Sequence, residues 1–274
     1  MNSQLKDSLA GTIFTKIICR GEVGSTNDLA LSMLDGGEDG AIAVSADSQS
    51  SGRGRLGRSW YSPPSGNIYL SIMMRLDIPL RDASLFTLIS GVAACTGIRK
   101  STRCDVHIKW PNDIVFNEKK LGGILTETRV EGDLVTGIVT GIGINVNMLK
   151  AEFPEELQGI ATSLLAETGE SYDRREAAVA ILKQFDVLFR DVFPQYRNNK
   201  IREIDLSGKE KLVYLWKSLD ITLGKRISVK TPNETVNGMA VDIGPAGQLL
   251  VMSDSGEKIS IHAGDVTVLN GYSA

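Results

Sequence analysis

The sequence is poor in the residues that most often carry acid–base catalysis and metal binding. It has two histidines, His107 and His262, a supply that argues against a Ser-His-Asp triad and against a histidine-based zinc site. Its three cysteines are odd in number and lack CxxC spacing, which indicates reduced thiols. Chemistry in this chain is therefore expected to depend on lysine, arginine, carboxylates and the backbone.

Long apolar runs and a strong net charge are also missing. No run of about 18 apolar residues occurs, and the first residues show no basic segment followed by an apolar one, so we expect neither a membrane span nor an export signal. A net charge of -3 argues against general nucleic-acid binding. We expect a cytoplasmic protein with neither DNA nor a membrane as a partner.

Apolar periodicity predicts an α+β domain over residues 1–219, with a mixed sheet and flanking helices. A cleanly alternating segment at 67–76 and a β pattern broken by turns over 106–148 predict the centre of the sheet. Shorter strands are predicted at 12–20 and 41–47. Helices are predicted from Ser25 or Thr26, over 82–100 with Asp82 as the cap, and over 174–198 as the longest, with Asp173 at its capping position.

The pattern changes near Ser218, where five short strands separated by turns follow one another to the end of the chain. Strands at this spacing predict a small all-β barrel. We place the boundary between the two domains at 219/220, which gives a small C-terminal domain over 220–274.

The most distinctive motif is the run SGRGRLGRSW at 51–60, where arginines alternate with glycines. Glycine permits close approach of the backbone to a ligand, as at Gly54, and guanidinium groups offer forked donors that match phosphate oxygens. The tryptophan offers a flat face on which a base can stack. These side chains belong to Arg53, Arg55, Arg58 and Trp60. The motif predicts a phosphate-binding loop over 48–62, mobile until an anion neutralises it, with a solvated basic surface loop as the alternative.

Two further segments carry polar groups at the ends of predicted elements. Ser25, Thr26 and Asn27 begin a helix, where free amide groups and hydroxyls can bind a polar ligand or simply cap the helix, and Gln49 precedes the arginine loop. Lys109 lies in KWPNDI, where the proline ends a strand. A lysine at this strand end can hold an anionic oxygen, with Asn112 beside it, or can face solvent.

Glycines interrupt two predicted strands, KKLGGILTE at 119–127 and GIGINVN at 141–147. Glycine within a strand often marks a place where a ligand meets the backbone, and a β-bulge is the alternative at Gly122 and Gly123. Asn145 lies between two apolar residues, and a buried amide there needs partners.

In their order and spacing, GSTN, QSSGRGRLGRSW, KWPNDI, KLGGIL and GIGINVN resemble the catalytic domain of the biotin protein ligase family over about 12–147. The resemblance implies a catalytic fold similar to class II aminoacyl-tRNA synthetases, followed by a barrel of the Src-homology-3 type. It implies that biotin and ATP give biotinyl-5′-AMP and pyrophosphate, and that a lysine of a biotin carboxyl carrier protein then accepts the biotinyl group. Mg²⁺ would bind mainly through ATP phosphates, so no protein metal site is expected.

The resemblance also implies roles for individual residues. Lys109, Arg53 and Arg55 form the implied catalytic set. Biotin would contact Ser25, Thr26, Asn27, Gln49, Arg53, Gly54, Arg55, Lys109, Gly122 and Gly123. ATP or the adenylate would contact Arg53, Arg55, Arg58, Trp60, Lys109, Asn112 and Asn145.

Several alternatives stay open from sequence alone. A lipoate ligase or octanoyltransferase of the related fold would also use a lysine and a glycine-rich loop, although KWPND and the density of arginines argue against it. The loop could instead serve a nucleic-acid-binding regulator, or the barrel could be an independent interaction module. Some family members carry an N-terminal helix-turn-helix domain; with about 24 residues before Ser25, we expect a single-function form. A homodimer stays open.

Overall fold

The computed structural model describes residues 7–64, 66–196, 201 and 203–269, and its larger part is a seven-stranded mixed sheet. The strands are β1 (Phe14–Val23), β2 (Ala41–Gln49), β3 (Ile68–Pro79), β4 (His107–Lys109), β5 (Asp113–Phe116), β6 (Lys119–Glu131) and β7 (Leu134–Ile144). Their order across the sheet is β1-β2-β3-β7-β6-β5-β4. β1 and β2 pair in parallel, and the remaining neighbours pair antiparallel. The predicted meander over 106–148 is thus confirmed as β4 to β7.

Helices cover both faces of this sheet. They are α1 (Thr26–Asp35), α2 (Ser84–Thr102), α3 (Leu164–Thr168), α4 (Arg174–Val192) and α5 (Leu206–Leu219). Successive residues of a strand point to opposite faces, so β2 divides between two cores. Ala41 and Ala43 join the large core with α2, α4 and α5, whereas Ile42 and Val44 join a small core with α1. The small core places the start of α1 over the middle strands.

Two predicted helix boundaries are wrong. Asp82 does not cap α2, because it lies in a 3-10 turn over Leu80–Asp82 and its carboxylate pairs with Lys209 at 3.1 Å. The helix predicted over 174–198 ends at Val192, since proline at 194 disfavours helical geometry at the preceding residue. Residues 197 and 198 lie outside the described part of the chain. The cap at Asp173 is confirmed, because its carboxylate accepts from the amides of Arg175 and Glu176.

The C-terminal part is a separate five-stranded antiparallel sheet. Its strands are β8 (Arg226–Lys230), β9 (Thr235–Ile243), β10 (Leu249–Ser253), β11 (Lys258–Ile261) and β12 (Asp265–Val268), in the order β11-β10-β9-β8-β12. Alternate residues such as Ile227, Val229, Leu249 and Val251 are buried. The prediction of an α+β protein with a C-terminal all-β part is confirmed.

The two sheets are joined next to the strand that carries Lys109. Ile221 donates its backbone N–H to the carbonyl of Ile108 over 2.8 Å, and the hydroxyl of Thr222 accepts from the amide of Trp110 at 3.0 Å. The indole of Trp110 donates to the carbonyl of Gly247 over 2.9 Å. These bonds tie the end of β4 to the C-terminal sheet.

None of the helices in the described ranges is long and apolar enough to cross a membrane. The three cysteines carry free thiols. Cys95 is completely buried in α2, and burial raises the pKa of its thiol. It therefore packs as a small apolar side chain.

Candidate active site

A cavity of about 360 Å³ lies at the start of α1, over strands β3, β6 and β7. Most of the residues that the sequence predicted for a ligand-binding site lie in the lining of this cavity, although they come from five separate stretches of chain. They are Ser25, Thr26, Asn27, Gln49, Arg53, Gly54, Arg55, Arg58, Trp60, Lys109, Asn112 and Gly123. Residues of the C-terminal sheet, Asp265 and Val266, complete the wall.

The start of α1 forms a buried polar floor. Ser25 caps the helix, its hydroxyl accepting from the amide of Asp28 at 3.3 Å, so the capping interpretation is confirmed, and the residue also lines the cavity. The amide and the hydroxyl of Thr26 lie 2.8 Å and 3.1 Å from Oε1 of Gln49. Nε2 of Gln49 donates to Ser62, whose hydroxyl donates to the carbonyl of Trp60. Gln49 thus connects the helix start to the arginine loop.

The arginine loop folds back on itself. Trp60 donates its amide to the carbonyl of Gly52 over 2.8 Å, and Gly54 donates to the carbonyl of Arg58 over 2.7 Å. A Cβ atom added at Gly52 would lie 2.4 Å from the carbonyl oxygen of Trp60, so this turn requires glycine. The glycines therefore shape the loop itself as well as giving room at the cavity.

Each loop arginine has a different partner. Nη2 of Arg53 lies 2.7 Å from Asp28 and 2.6 Å from Glu127, so two carboxylates neutralise its charge. Arg55 donates to Oδ1 of Asn112 over 2.9 Å and to the carbonyl of Gly264 over 3.4 Å. Burial lowers the pKa of the Arg55 guanidinium. Among the described residues, no carboxylate contacts the guanidinium group of this arginine directly.

The third arginine joins the loop to the C-terminal sheet. Arg58 forms an ion pair with Asp265, the first residue of β12. Together with the bond from Arg55 to Gly264, this pair docks the loop on a part of the chain more than 200 positions away. The C-terminal part of the chain therefore helps to hold the loop in this position.

Lys109 lies at the end of β4, as predicted from the proline that follows it. Its half-buried side chain lines the cavity, and no acceptor in the described ranges pairs with its ammonium group. Lys120, by contrast, lies 2.6 Å from Asp113 and 5.7 Å from the centre of the Trp60 ring. Lys109 is therefore a cation of the cavity lining that is available to an anionic ligand.

Two buried nitrogen atoms at the cavity also lack partners in the described part of the chain, Nε of Arg53 and Nε1 of Trp60. Buried donors are nearly always bonded in folded proteins, to protein or to ordered water. Their position in the cavity lining indicates a site that is completed by a ligand or by water.

The strand glycines make room for two side chains of the site. A Cβ atom at Gly143 would lie 2.7 Å from Nε1 of Trp60, and one at Gly141 would lie 2.4 Å from Oδ1 of Asn27. Gly123 is less crowded, with 3.7 Å between an added Cβ and the Trp60 ring. The glycines mark close approach, as the sequence indicated, but the approaching groups are side chains of the protein.

Gly122 and Asn145 do not belong to the cavity lining. Pairing between β5 and β6 shifts between Lys120 and Gly122, so the β-bulge alternative holds there. Asn145 is 4% exposed and donates to the carbonyl of Thr162 over 3.0 Å, which supplies the partner that a buried amide needs. This geometry supports a structural role for both residues.

Sequence reasoning missed several residues that complete the site. Glu127 shares a face of β6 with Gly123 and Leu125, so the alternation of the strand could have revealed it. Ser71 is fully buried on β3 between Thr26 and Asn27, and a serine inside an apolar strand was the available signal. No signal in the sequence pointed to Asp265, because its role depends on how the two sheets pack against each other.

Two family models match the chain. One, described as Biotin/lipoate A/B protein ligase family, matches residues 23–145, and the other, described as Biotin protein ligase C terminal domain, matches residues 222–269. Among curated relatives, the Bifunctional ligase/repressor BirA of Bacillus subtilis is 36% identical over 244 residues, which are 89% of this chain and 71% of that protein. The Biotin--[acetyl-CoA-carboxylase] ligase of Mycobacterium tuberculosis is 29% identical over 97% of this chain and 94% of its own length.

Solved structures of biotin protein ligases are also similar to this chain. The biotin protein ligase from Aquifex aeolicus in complex with biotin and ATP has a TM-score of 0.72 at 27% identity, covering 94% of this chain and 100% of that chain. The biotin protein ligase from Leishmania major in complex with biotinyl-5-AMP has a TM-score of 0.57 at 26% identity, covering 91% and 99%.

Proposed function

The chain belongs to the biotin protein ligase family, and on that premise we propose that it converts biotin and ATP into biotinyl-5′-AMP and pyrophosphate and then transfers the biotinyl group to a lysine of a biotin carboxyl carrier protein. The observation that carries the proposal is the combination, in one cavity, of a neutral hydrogen-bonding floor with the available cation of Lys109. A ligand with a polar neutral ring at one end and a carboxylate at the other fits that arrangement. Lipoate, whose ring carries no N–H groups, fits it less well.

The first step brings two anions together, so its main demand is electrostatic. A carboxylate oxygen of biotin bonds to the α-phosphorus of ATP, and the bond to the pyrophosphate oxygen breaks. Cations fixed where negative charge accumulates stabilise such a transition state. We assign this role to Lys109 and Arg55, because Arg53 is paired with Asp28 and Glu127 and Arg58 is paired with Asp265. Arg53 then acts mainly by anchoring the loop.

Mg²⁺ would be held mainly by the triphosphate oxygens. The carboxylates of the cavity fit this arrangement, because Asp113 is paired with Lys120 and Asp265 with Arg58. An ion with most of its ligands from phosphate and water is usual for Mg²⁺ at nucleotide sites. When bound, it would neutralise charge on the leaving pyrophosphate.

The second step requires protection from water as well as access for the carrier. A mixed anhydride is hydrolysed when water reaches it, and a closed loop prevents this. The contacts of Arg55 and Arg58 with the C-terminal sheet support that closed position. The carrier lysine attacks the acyl carbon as a free amine, and AMP leaves. Alignment of the amine can supply much of the acceleration without a general base.

We assign roles to the other predicted site residues from their positions in the structure. Ser25, Thr26, Asn27 and Gln49 would bind the ureido ring, and Gly54 and Gly123 would give it room. Trp60 would cover the adenine, with Asn112 holding Arg55 beside it. Asn145, buried at the end of β7, would act on the adenine side only by supporting the backbone there.

We also propose the finer domain description. α5 ends at Leu219 and the antiparallel strands begin at Arg226, which supports a boundary at 219/220. The mixed sheet with helices on both faces supports a relation to class II aminoacyl-tRNA synthetases, and the five short strands support a barrel of the Src-homology-3 type. A shortened chain ending at residue 219 would test the boundary, because a folded fragment is expected.

The function is tested by incubating the protein with biotin, MgATP and a biotin carrier domain, and by measuring the mass of the carrier. The carrier should gain one biotinyl group, and a carrier with arginine at the acceptor lysine should gain none. Lipoate in place of biotin serves as the competing substrate. Modification of the carrier by lipoate but not by biotin would overturn the proposal.

A further inference from the structure

Buried hydrogen bonds connect the floor of the cavity to groups behind it. Asn27, Thr26 and Ser71 are each at most 4% exposed, and their polar atoms lie within 2.6–2.8 Å of one another through the Ser71 hydroxyl. Beyond Asn27, the chain of bonds reaches Glu127. Because the atoms are out of contact with bulk water, the direction of each bond decides what the cavity can bind.

The orientation of the Asn27 amide is determined by its neighbours. Nδ2 lies 3.2 Å from the carbonyl of Leu125 and 2.8 Å from Oε2 of Glu127. A carbonyl and a carboxylate only accept hydrogen bonds, so Nδ2, which carries two hydrogens, must face both. Oδ1 therefore faces Ser71 and lies beside Gly141 of the cavity lining.

The positions of the hydroxyl hydrogens also follow from which atoms can donate a hydrogen bond and which can only accept one. Oδ1 of Asn27 cannot donate, so the single hydrogen of Ser71 is directed to it over 2.6 Å. The same Ser71 hydroxyl is also the donor toward Oγ1 of Thr26, 2.8 Å away, so both oxygens face it as acceptors. The hydroxyl hydrogen of Thr26 is directed to Oε1 of Gln49 over 3.1 Å. Thr26 Oγ1 thus offers acceptor capacity rather than a donor.

We propose that Ser71 and Glu127 are positioning residues that fix the hydrogen-bond polarity of the cavity, so that Oδ1 of Asn27 and Oγ1 of Thr26 accept from the two ureido N–H groups of biotin. This inference rests on the proposed function and names what makes the site specific. A ring without N–H donors would leave both buried acceptors unpaired, and a site built to bond a donor rejects analogues that lack it. Gly141 contributes by leaving room for Oδ1 of Asn27.

The chain offers a matched control for Ser71. Ser90 is also fully buried, and its hydroxyl lies 3.0 Å from that of buried Thr140, away from the cavity lining. Ser71→Ala and Ser90→Ala each remove one buried hydroxyl paired with a threonine, so similar losses of thermal stability are expected. Only Ser71→Ala should raise the KM for biotin and the Kd measured by calorimetry, by about tenfold, with kcat and the KM for ATP within about twofold of wild type.

A second pair of variants tests Glu127 and does not depend on Ser71→Ala folding. Glu127→Gln and Asp28→Asn each remove one of the two carboxylate charges on Arg53, but only Glu127 contacts Asn27. Glu127→Gln should therefore raise the Kd for biotin several-fold more than Asp28→Asn, because glutamine can turn a donor toward Asn27 and release its amide.

These measurements distinguish a failure of this inference from a failure of the proposed function. Equal biotin Kd values for Ser71→Ala and Ser90→Ala, or for Glu127→Gln and Asp28→Asn, would overturn the inference. If the wild-type protein did not use biotin at all, the proposed function would fail first. A wild type active on biotin together with unequal values within both pairs supports both.

Discussion

Asp220 lies directly after α5, at the junction of the two sheets, and its charge is expected to destabilise the folded protein at neutral pH. Oδ1 accepts from the amides of Thr222 and Leu223 at 2.7 Å and 2.9 Å. Oδ2 is buried, with no hydrogen-bond partner in the described part of the chain. Burial raises the pKa of this carboxyl from 3.8 to about 6, although the bonds from Leu223 and Thr222 partly oppose the rise.

The sign of the effect follows from the direction of the shift. A folded-state pKa above the unfolded value gives stability that is complete below the unfolded pKa of 3.8 and is lost as pH rises through about 6. About two pKa units at about 1.4 kcal/mol each correspond to about 3 kcal/mol of unfolding free energy. About 1 kcal/mol is already lost by about pH 4.5, so about 2 kcal/mol should disappear between about pH 4.5 and pH 8.

Asp220→Asn removes this titration while keeping the oxygen that caps the turn. Urea unfolding of both proteins across this pH range gives the difference between their unfolding free energies, in which other titrating groups cancel. The difference should shift by about 2 kcal/mol in favour of the variant as pH rises. A difference constant to within about 0.5 kcal/mol would show that the carboxyl titrates normally and would refute the reasoning.

Two further predictions concern the loop. Asp265→Asn removes the carboxylate partner of Arg58, and losing an exposed ion pair worth up to about 1 kcal/mol should make the adenylate escape about fivefold faster. The escape is measured as biotin-dependent AMP release without carrier. Asp254→Asn, which breaks a comparable exposed ion pair elsewhere in the C-terminal sheet, should leave this rate unchanged. Gly143→Ala should displace the loop tryptophan and raise the KM for ATP several-fold, whereas Gly123→Ala, with ordinary contact distances, should not. Equal effects within either pair would contradict the assignment of these contacts.

Local patterns predicted the parts of the fold that depend on neighbouring residues. The cap at Ser25, the end of β4 at Lys109 and the five C-terminal strands each follow from a few adjacent positions. The end of α4 was also encoded locally, by proline at 194, but the continuing apolar stripe concealed it.

Contacts between distant segments could not be predicted in the same way. The pair of Arg58 with Asp265 joins residues 207 positions apart, and the bond from Ser71 to Asn27 crosses 44 positions. The strand glycines illustrate the limit, because close approach at Gly143 was predictable but the approaching side chain, Trp60, was not. Sequence indicated most of the residues that line the cavity, whereas the structure supplied the bonds that orient them.

In the proposed reaction, biotin and ATP are joined beside the ammonium group of Lys109. This role is tested most directly by biotin-dependent pyrophosphate release in the wild type and in Lys109→Ala, with melting temperature measured in parallel. We expect release with biotin but not with lipoate, and a loss of about a hundredfold or more in the variant at nearly unchanged stability. Release that depends on lipoate instead, or a variant as active as the wild type, would contradict it.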